Sequence, residues 1–162
     1  MAYDTYLKIA GVEGESSAAG FEKQIEVDSF SWSLSNPSTM NSTGSGLAAG
    51  RVNLSSFSIA KRLEKSSARL FAACCQGEHF DKMELMVRKA TGKGGQDVYL
   101  TYTFHSVLVE SVSWSAADGQ VPQEVVTFAF AKVEIEYKMQ DTESGQLTVA
   151  GQASWDLKAV MA

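Results

Sequence analysis

Apolar and polar residues alternate with period two along much of this chain, and the alternation repeatedly changes parity. No other feature constrains the fold as strongly. Ile25 and Val27 are apolar at odd positions, whereas Phe30, Trp32 and Leu34 are apolar at even ones. Val52 and Leu54 give way to Phe57 and Ile59 in the same manner, and Val98, Leu100, Tyr102 and Phe104 give way to Val107 and Val109. Successive side chains of a strand point to opposite faces, so each change of parity requires an inserted residue or a bend. Long strands that switch parity are what a strongly curved or closed sheet needs. The run from Val125 to Met139 is the longest expected strand. Its even positions begin as Val126, Phe128 and Phe130 and end as Lys132, Glu134, Glu136 and Lys138. One end should lie between packed layers and the other should meet water or a polar partner. A single chain gains little from that charged face, so the four charges are candidates for a subunit interface.

A short strand is expected over Thr5–Ile9, and a final pair over Leu147–Val149 and Trp155–Leu157. Gly92 to Gln96, Asp118–Gly119 and Ser144–Gly145 supply turns. One helix stands out: Ser66 or Ser67 can cap it, Leu70, Phe71, Cys74 and Cys75 fall on one stripe, and Gly77 can end it. Asn36 to Gly50 is small, polar and without period, and Met40 and Leu47 are its only sizeable apolar side chains. A structureless stretch of this length is uncommon in a compact domain and is usually functional or disordered. The expected fold is mainly β: a closed β-barrel of two curved antiparallel sheets, one side helix and a long extended loop, forming one domain over 1–162.

Composition excludes several function classes. A formal net charge of -5, with no basic run, makes a poor nucleic-acid binder. Lys61 and Arg62, beside Glu64 and Lys65, are mixed in sign. No apolar stretch approaches a membrane helix, and the first residues lack the pattern of a secretory signal, so folding in the cytoplasm is expected. The two cysteines, Cys74 and Cys75, are adjacent, unlike the spaced cysteines of a disulfide framework. Adjacent helical residues point about 100° apart, so these thiols are poorly placed to chelate one metal ion with His79. The glycines Gly44, Gly46 and Gly50 precede a strand and no helix, which does not suit a dinucleotide site. Glu134 and Glu136 are flanked by Lys132 and Lys138, which suits a salt-bridge ladder better than an acid–base pair. No catalytic residue, cofactor or metal is expected, and hence no enzyme.

The most unusual pattern is in the serines. Ser29, Ser31, Ser33 and Ser35 run at period two opposite Phe30, Trp32 and Leu34, and Ser111, Ser113 and Ser115 do so opposite Val112 and Trp114. The large apolar partners, Trp114 included, should line the core. The hydroxyls then face away from it, and they offer hydrogen bonds without net charge. A small, neutral, hydroxylated face of this kind suits a surface that touches varied cargo without holding it tightly. Ser31, Ser33, Ser111, Ser113 and Ser115 are therefore the candidate cargo contacts.

Taken in order, these residues resemble the haemolysin-coregulated protein family of type VI secretion machines. The resemblance is carried by Asp4, Tyr6-Leu7-Lys8-Ile9 and Gly14-Glu15-Ser16, then by Ile25-x-Val27-x-x-Phe30-Ser31-Trp32-Ser33. Lys65-Ser66-Ser67-Ala68-Arg69-Leu70, Leu85-x-Val87-Arg88-Lys89-Ala90, Phe130-Ala131-Lys132-Val133 and Trp155-Asp156-Leu157 continue it along the whole chain. It implies a structural protomer that assembles into homohexameric rings. These rings would stack into a tube inside a contractile sheath, beneath a spike protein, with effector proteins carried in the lumen. The protein would leave the cell through that machine. On this reading Asn36, Met40, Thr43 and Leu47 are candidates for ring stacking. A phage-tail-like tube protein is the alternative identity, and a monomeric ligand-binding barrel is the alternative from another class.

Overall fold

A 20-residue strand, β10 (Gln96–Ser115), organises the molecule. The computed structural model describes residues 3–40, 47–91 and 95–159. Along one edge, β10 pairs antiparallel with β9 (His79–Ala90) from Gln96 to Leu108. Along the other it pairs first with β12 (Lys132–Gln140), over Leu100–His105, and then with β11 (Gln123–Ala129), over Leu108–Ser115. The chain thus lends one strand to two differently directed parts of the sheet. Register shifts pass over Tyr99 and Glu110, whereas at Ser106 the pairing with β9 lapses without a shift, Asp81 being passed over opposite it. Ser106 has φ +54, a left-handed conformation rare outside glycine, and it stands between the two apolar parities of β10.

The remaining strands extend this frame. The main sheet runs in the order β2 (Ile25–Glu26), β1 (Tyr3–Ile9), β9, β10, β11, β8 (Phe57–Arg62), β3 (Ser29–Ser31), with β13 (Leu147–Asp156) on β12. Its two ends, β2 and β3, are consecutive in the chain. There the Val27 N–H donates to the Thr5 carbonyl at 3.0 Å and the Asp28 N–H to the Ala60 carbonyl at 2.9 Å. This is the parity change anticipated near Asp28–Ser29. Leu7, Ile25, Phe57, Ile59, Met83, Leu85, Phe104, Val126 and Phe128 fill the core, and Phe30, Trp32 and Phe130 pack against it. The fold is mainly β with one helix.

Several expectations need correction. Val125 to Met139 is two strands, bent at Phe130–Ala131, where the Ala131 N–H bonds the His105 carbonyl. Leu147 to Asp156 is one strand and not a pair, with a register shift opposite Tyr137–Lys138 taking up the irregularity. The Asn36–Gly50 stretch is not wholly irregular. β4 (Leu34–Ser35) pairs with β7 (Asn53–Leu54), and β5 (Ser38–Met40) pairs with β6 (Leu47–Ala49), Met40 opposite Leu47. The two ribbons continue β3 and β8 into a projecting hairpin arm. Thr43 lies outside the described residues. At the foot of the arm the Gly50 N–H bonds the Pro37 carbonyl, and a Cβ on Gly50 would lie 2.5 Å from that oxygen, so glycine is needed for the close approach.

The helix α1 (Ser66–Gln76) is capped by Lys65, with no side-chain cap, because Ser67 Oγ instead accepts from the Glu64 N–H at 3.0 Å. Gly77 ends it in the left-handed conformation. Its buried stripe is Ser66, Ser67, Leu70 and Ala73; Phe71 and Cys75 are exposed, and Cys74 packs against the core. Leu34 and Trp114 are likewise exposed and do not line the core.

Candidate functional site: an uncharged hydroxyl face

Residues directly opposite each other in a sheet share a face. Register therefore places Ser31 (β3), Ser58 (β8), Thr127 (β11) and Ser111 (β10) in one row across four strands. The next row is Ser29, Ala60, Val125 and Ser113. The two serine series, some 80 residues apart in sequence, thus meet on one continuous surface that faces away from Phe57, Ile59, Val126 and Phe128. Ser31, Ser33, Ser111, Ser113 and Ser115 are all exposed. Ser33 continues the first series toward the arm, where its N–H donates to Ser55 Oγ at 2.8 Å. Ser111 and Thr127 hydroxyls bond one another across the strand pair. No charged side chain stands in either row. Charges occur only at the margins: Arg62 with Asp28 at 3.9 Å beyond one end, and Glu110, accepting from the Ser56 hydroxyl, beyond the other.

Ser58, Thr127, Ala60 and Val125 belong to this face and were not anticipated. Ser56 and Ser58 do alternate with Phe57 and Ile59, a period-two signal that could have found Ser58. Thr127 and Val125 sit in an apolar run, where sequence gives no sign of which parity faces outward.

The opposite, core-facing side of the same strands carries a buried charge network. Lys61, which looked like a member of a mixed surface cluster, is fully buried. Its Nζ lies 3.1 Å from Glu124 Oε1 and 3.0 Å from Ser67 Oγ, and it also donates to the Arg62 carbonyl. Glu124 Oε2 accepts from Trp114 Nε1 at 2.8 Å. These contacts tie β8, β11 and β10 to the first turn of α1, fixing the helix on the sheet that carries the hydroxyl face.

Lys132, Glu134, Glu136 and Lys138 are not brought to that face. They lie on the outer side of β12, on the surface opposite Val133, and pair within the chain. Glu134 meets His105 and Lys132, both at 3.3 Å, while Glu136 meets Lys138 at 3.6 Å and Gln152 Nε2 at 2.8 Å. His105 and then Lys132 hold the Glu134 carboxyl below its usual range by hydrogen bonding to its charged form. Cys74 Sγ lies 3.8 Å from the Glu110 carbonyl oxygen, while Cys75 faces solvent. Among the described residues no group of three or more His, Cys, Asp or Glu side chains could hold a metal ion. A broad, shallow, uncharged face can offer hydrogen bonds and small apolar contacts; it has no constellation for proton transfer or nucleophilic attack.

Residues 6–137 match the family model described as "Type VI secretion system effector, Hcp". The chain is 35% identical over 160 residues to protein hcp1 of Pseudomonas aeruginosa, covering 98% of this chain and 97% of that one. Among solved structures it is similar to "Structure of a type six secretion system protein", with TM-score 0.89, 34% identity and 98% of each chain covered. It is also similar to Hcp1 from Salmonella typhimurium, with TM-score 0.77, 31% identity, and 98% and 97% of the two chains covered.

Proposed function

The chain belongs to the Hcp family and is a type VI secretion tube protein, and on that premise we propose that its hydroxyl face lines the channel of a hexameric ring and touches the effectors that travel there. The carrying observation is that two serine series distant in sequence form one uncharged surface over four neighbouring strands. The protomer is read as a closed barrel, with the strand from Ile25 to Ser31 as the closing element. The hydrogen bonds of Val27 to β1 and Asp28 to β8 support that closure.

Among the described residues, Ser111–Ser115 of β10 pair only with β11, and β3 pairs only with β8. Those two open edges run antiparallel, so rotation about an axis can join β3 of one copy to β10 of the next, in a head-to-tail contact that closes. Six copies then present about 24 strands, and at 4.8 Å spacing and a tilt near 45° the wall is about 50 Å across between backbones. A small folded domain is about 30 Å in diameter, so a folded effector fits.

The charged outer side of β12 lies opposite the hydroxyl face and already pairs internally. It therefore faces the outer wall and the contractile sheath, not the subunit contact. The arm, with Asn36, Met40, Thr43 and Leu47, reaches the next ring, and a spike protein ends the stack. The protein is exported by the machine.

Ser31→Arg tests this reading. Rings should retain wild-type mass in light scattering, while effector co-purification falls at least tenfold. Broken rings would move the serine face to the subunit interface, and unchanged cargo retention would remove it from the channel.

A further inference from the structure

Four large apolar side chains stay exposed at the two opposite edges of the hydroxyl-bearing sheet. On the β10 edge, Phe71 of α1 and Trp114 form a knob, 50% and 47% exposed, with ring centroids 5.7 Å apart. Beyond the β3 edge, Leu34 of β4 and Trp155 of β13, 60% and 42% exposed, flank a cleft of about 360 Å³. Its walls are Trp32 and Leu54 from the base of the arm and Ile135 and Ala153 from β12 and β13. The sheet order β3–β8–β11–β10 puts Trp114 three strands from β3, which leads into β4 and the cleft, while β12 and β13 supply the cleft's other wall.

We propose that the Phe71–Trp114 knob of one copy seats in the Leu34–Trp155 cleft of the next, forming the apolar centre of the ring contact. This inference rests on the ring reading above and names the side chains that would hold the ring together. Two different patches on one chain make a heterologous contact, the kind that generates rings. Covering the four side chains removes roughly 400 Å² of mainly apolar surface, since each aromatic presents 150–250 Å² in all. That is about a quarter of a standard interface, a suitable share for its aromatic centre, with the edge strands supplying the rest.

The axial offset fits as well. Ser111 and Ser31 share a row; Trp114 lies three residues from it toward one end, and Leu34 three residues toward the other. The separation is six residues, about 20 Å along the strands. A copy four strands wide spans about 19 Å, so a tilt near 45° shifts each copy along its strands by nearly that amount.

Phe71→Glu and Leu34→Glu test the contact, since both side chains are exposed and replacement leaves the core intact. Each variant, with an unchanged circular dichroism spectrum, should run as a monomer at concentrations where wild type forms rings. A one-to-one mixture should give a heterodimer and nothing larger, because the intact cleft of Phe71→Glu accepts the intact knob of Leu34→Glu. Wild-type rings from either variant, or a mixture that stays monomeric, would overturn the contact. A monomeric wild type would overturn the ring reading itself, and this contact with it.

Discussion

Replacing Lys61 by Met removes the cation from a fully buried ion pair and leaves Glu124 with only the Trp114 indole as donor. Both side chains have no exposed surface and their charged atoms are 3.1 Å apart. The substitution also strips Ser67 Oγ and the Arg62 carbonyl of a donor. Breaking a buried pair by removing one partner costs about 3–5 kcal/mol, because an uncompensated charge stays in the interior. For a chain of this size each kcal/mol moves the melting temperature by about 2–4 °C, so Lys61→Met should melt roughly 10 °C lower. Replacing both partners, as Lys61→Met with Glu124→Leu, should recover most of the loss, since a packed apolar pair avoids the desolvation cost. Urea unfolding of the three variants and wild type, at one protomer concentration so that assembly does not enter the comparison, measures this directly. A loss below about 1 kcal/mol in the single variant, or a double variant worse than the single, would refute the reasoning: the network would then be hydrated or dispensable.

Deleting residues 41–46 from the arm should leave rings intact but prevent their stacking, which electron microscopy of rings and tubes would reveal; normal tubes would make the arm a mere connection. Cys74→Ala with Cys75→Ala should cost about 1–2 kcal/mol, nearly all from Cys74 on the core, and leave export working; lost export from a folded variant would point to thiol chemistry. Glu78 and Glu134, with ordinary values of 4.5, are held low by bonds from Arg69 and from His105 and Lys132, and Asp141, ordinarily 3.8, by the backbone N–H groups of Ser144 and Glu143. Their folded values lie below their unfolded ones, so their stabilisation is complete above about pH 5 and is lost as pH falls through the folded values. Being exposed, each contributes little, so melting temperature should be flat from pH 8 to 5 and decline only below; a decline beginning above pH 6 would contradict this.

Parity made much of the fold legible. The bends at Asp28 and Ser106 follow from side-chain alternation alone, because a strand cannot change faces without an irregularity. The bend at Phe130–Ala131 left a trace of the same kind, Val126, Phe128 and Phe130 giving way to Val133 and Ile135, but a single strand passing from packed layers to a polar surface explains the same pattern. β13 looked like two strands because Gly151 and its small neighbours resemble a turn, yet the strand absorbs a register shift there. The hydroxyl face was half visible: alternation revealed the serines and could have added Ser58, but only register could bring β3 beside β8 and β11 and so add Thr127 and Val125. Lys61 and Glu124 are 63 positions apart in the chain, and no local pattern marks charged residues that neutralise each other in the interior. Leu34 and Trp114 were expected in the core because their parity matches Trp32 and Val112; they lie on the core side, but at sheet edges where the described part of the chain leaves them uncovered.

Particle imaging of the assembled rings at side-chain resolution tests the central claim most directly. The predicted result is a closed ring whose channel wall carries the row Ser31, Ser58, Thr127, Ser111, repeated in every copy with no charged side chain between. A ring that turns this row to its outer surface, or buries it between copies, would contradict the account.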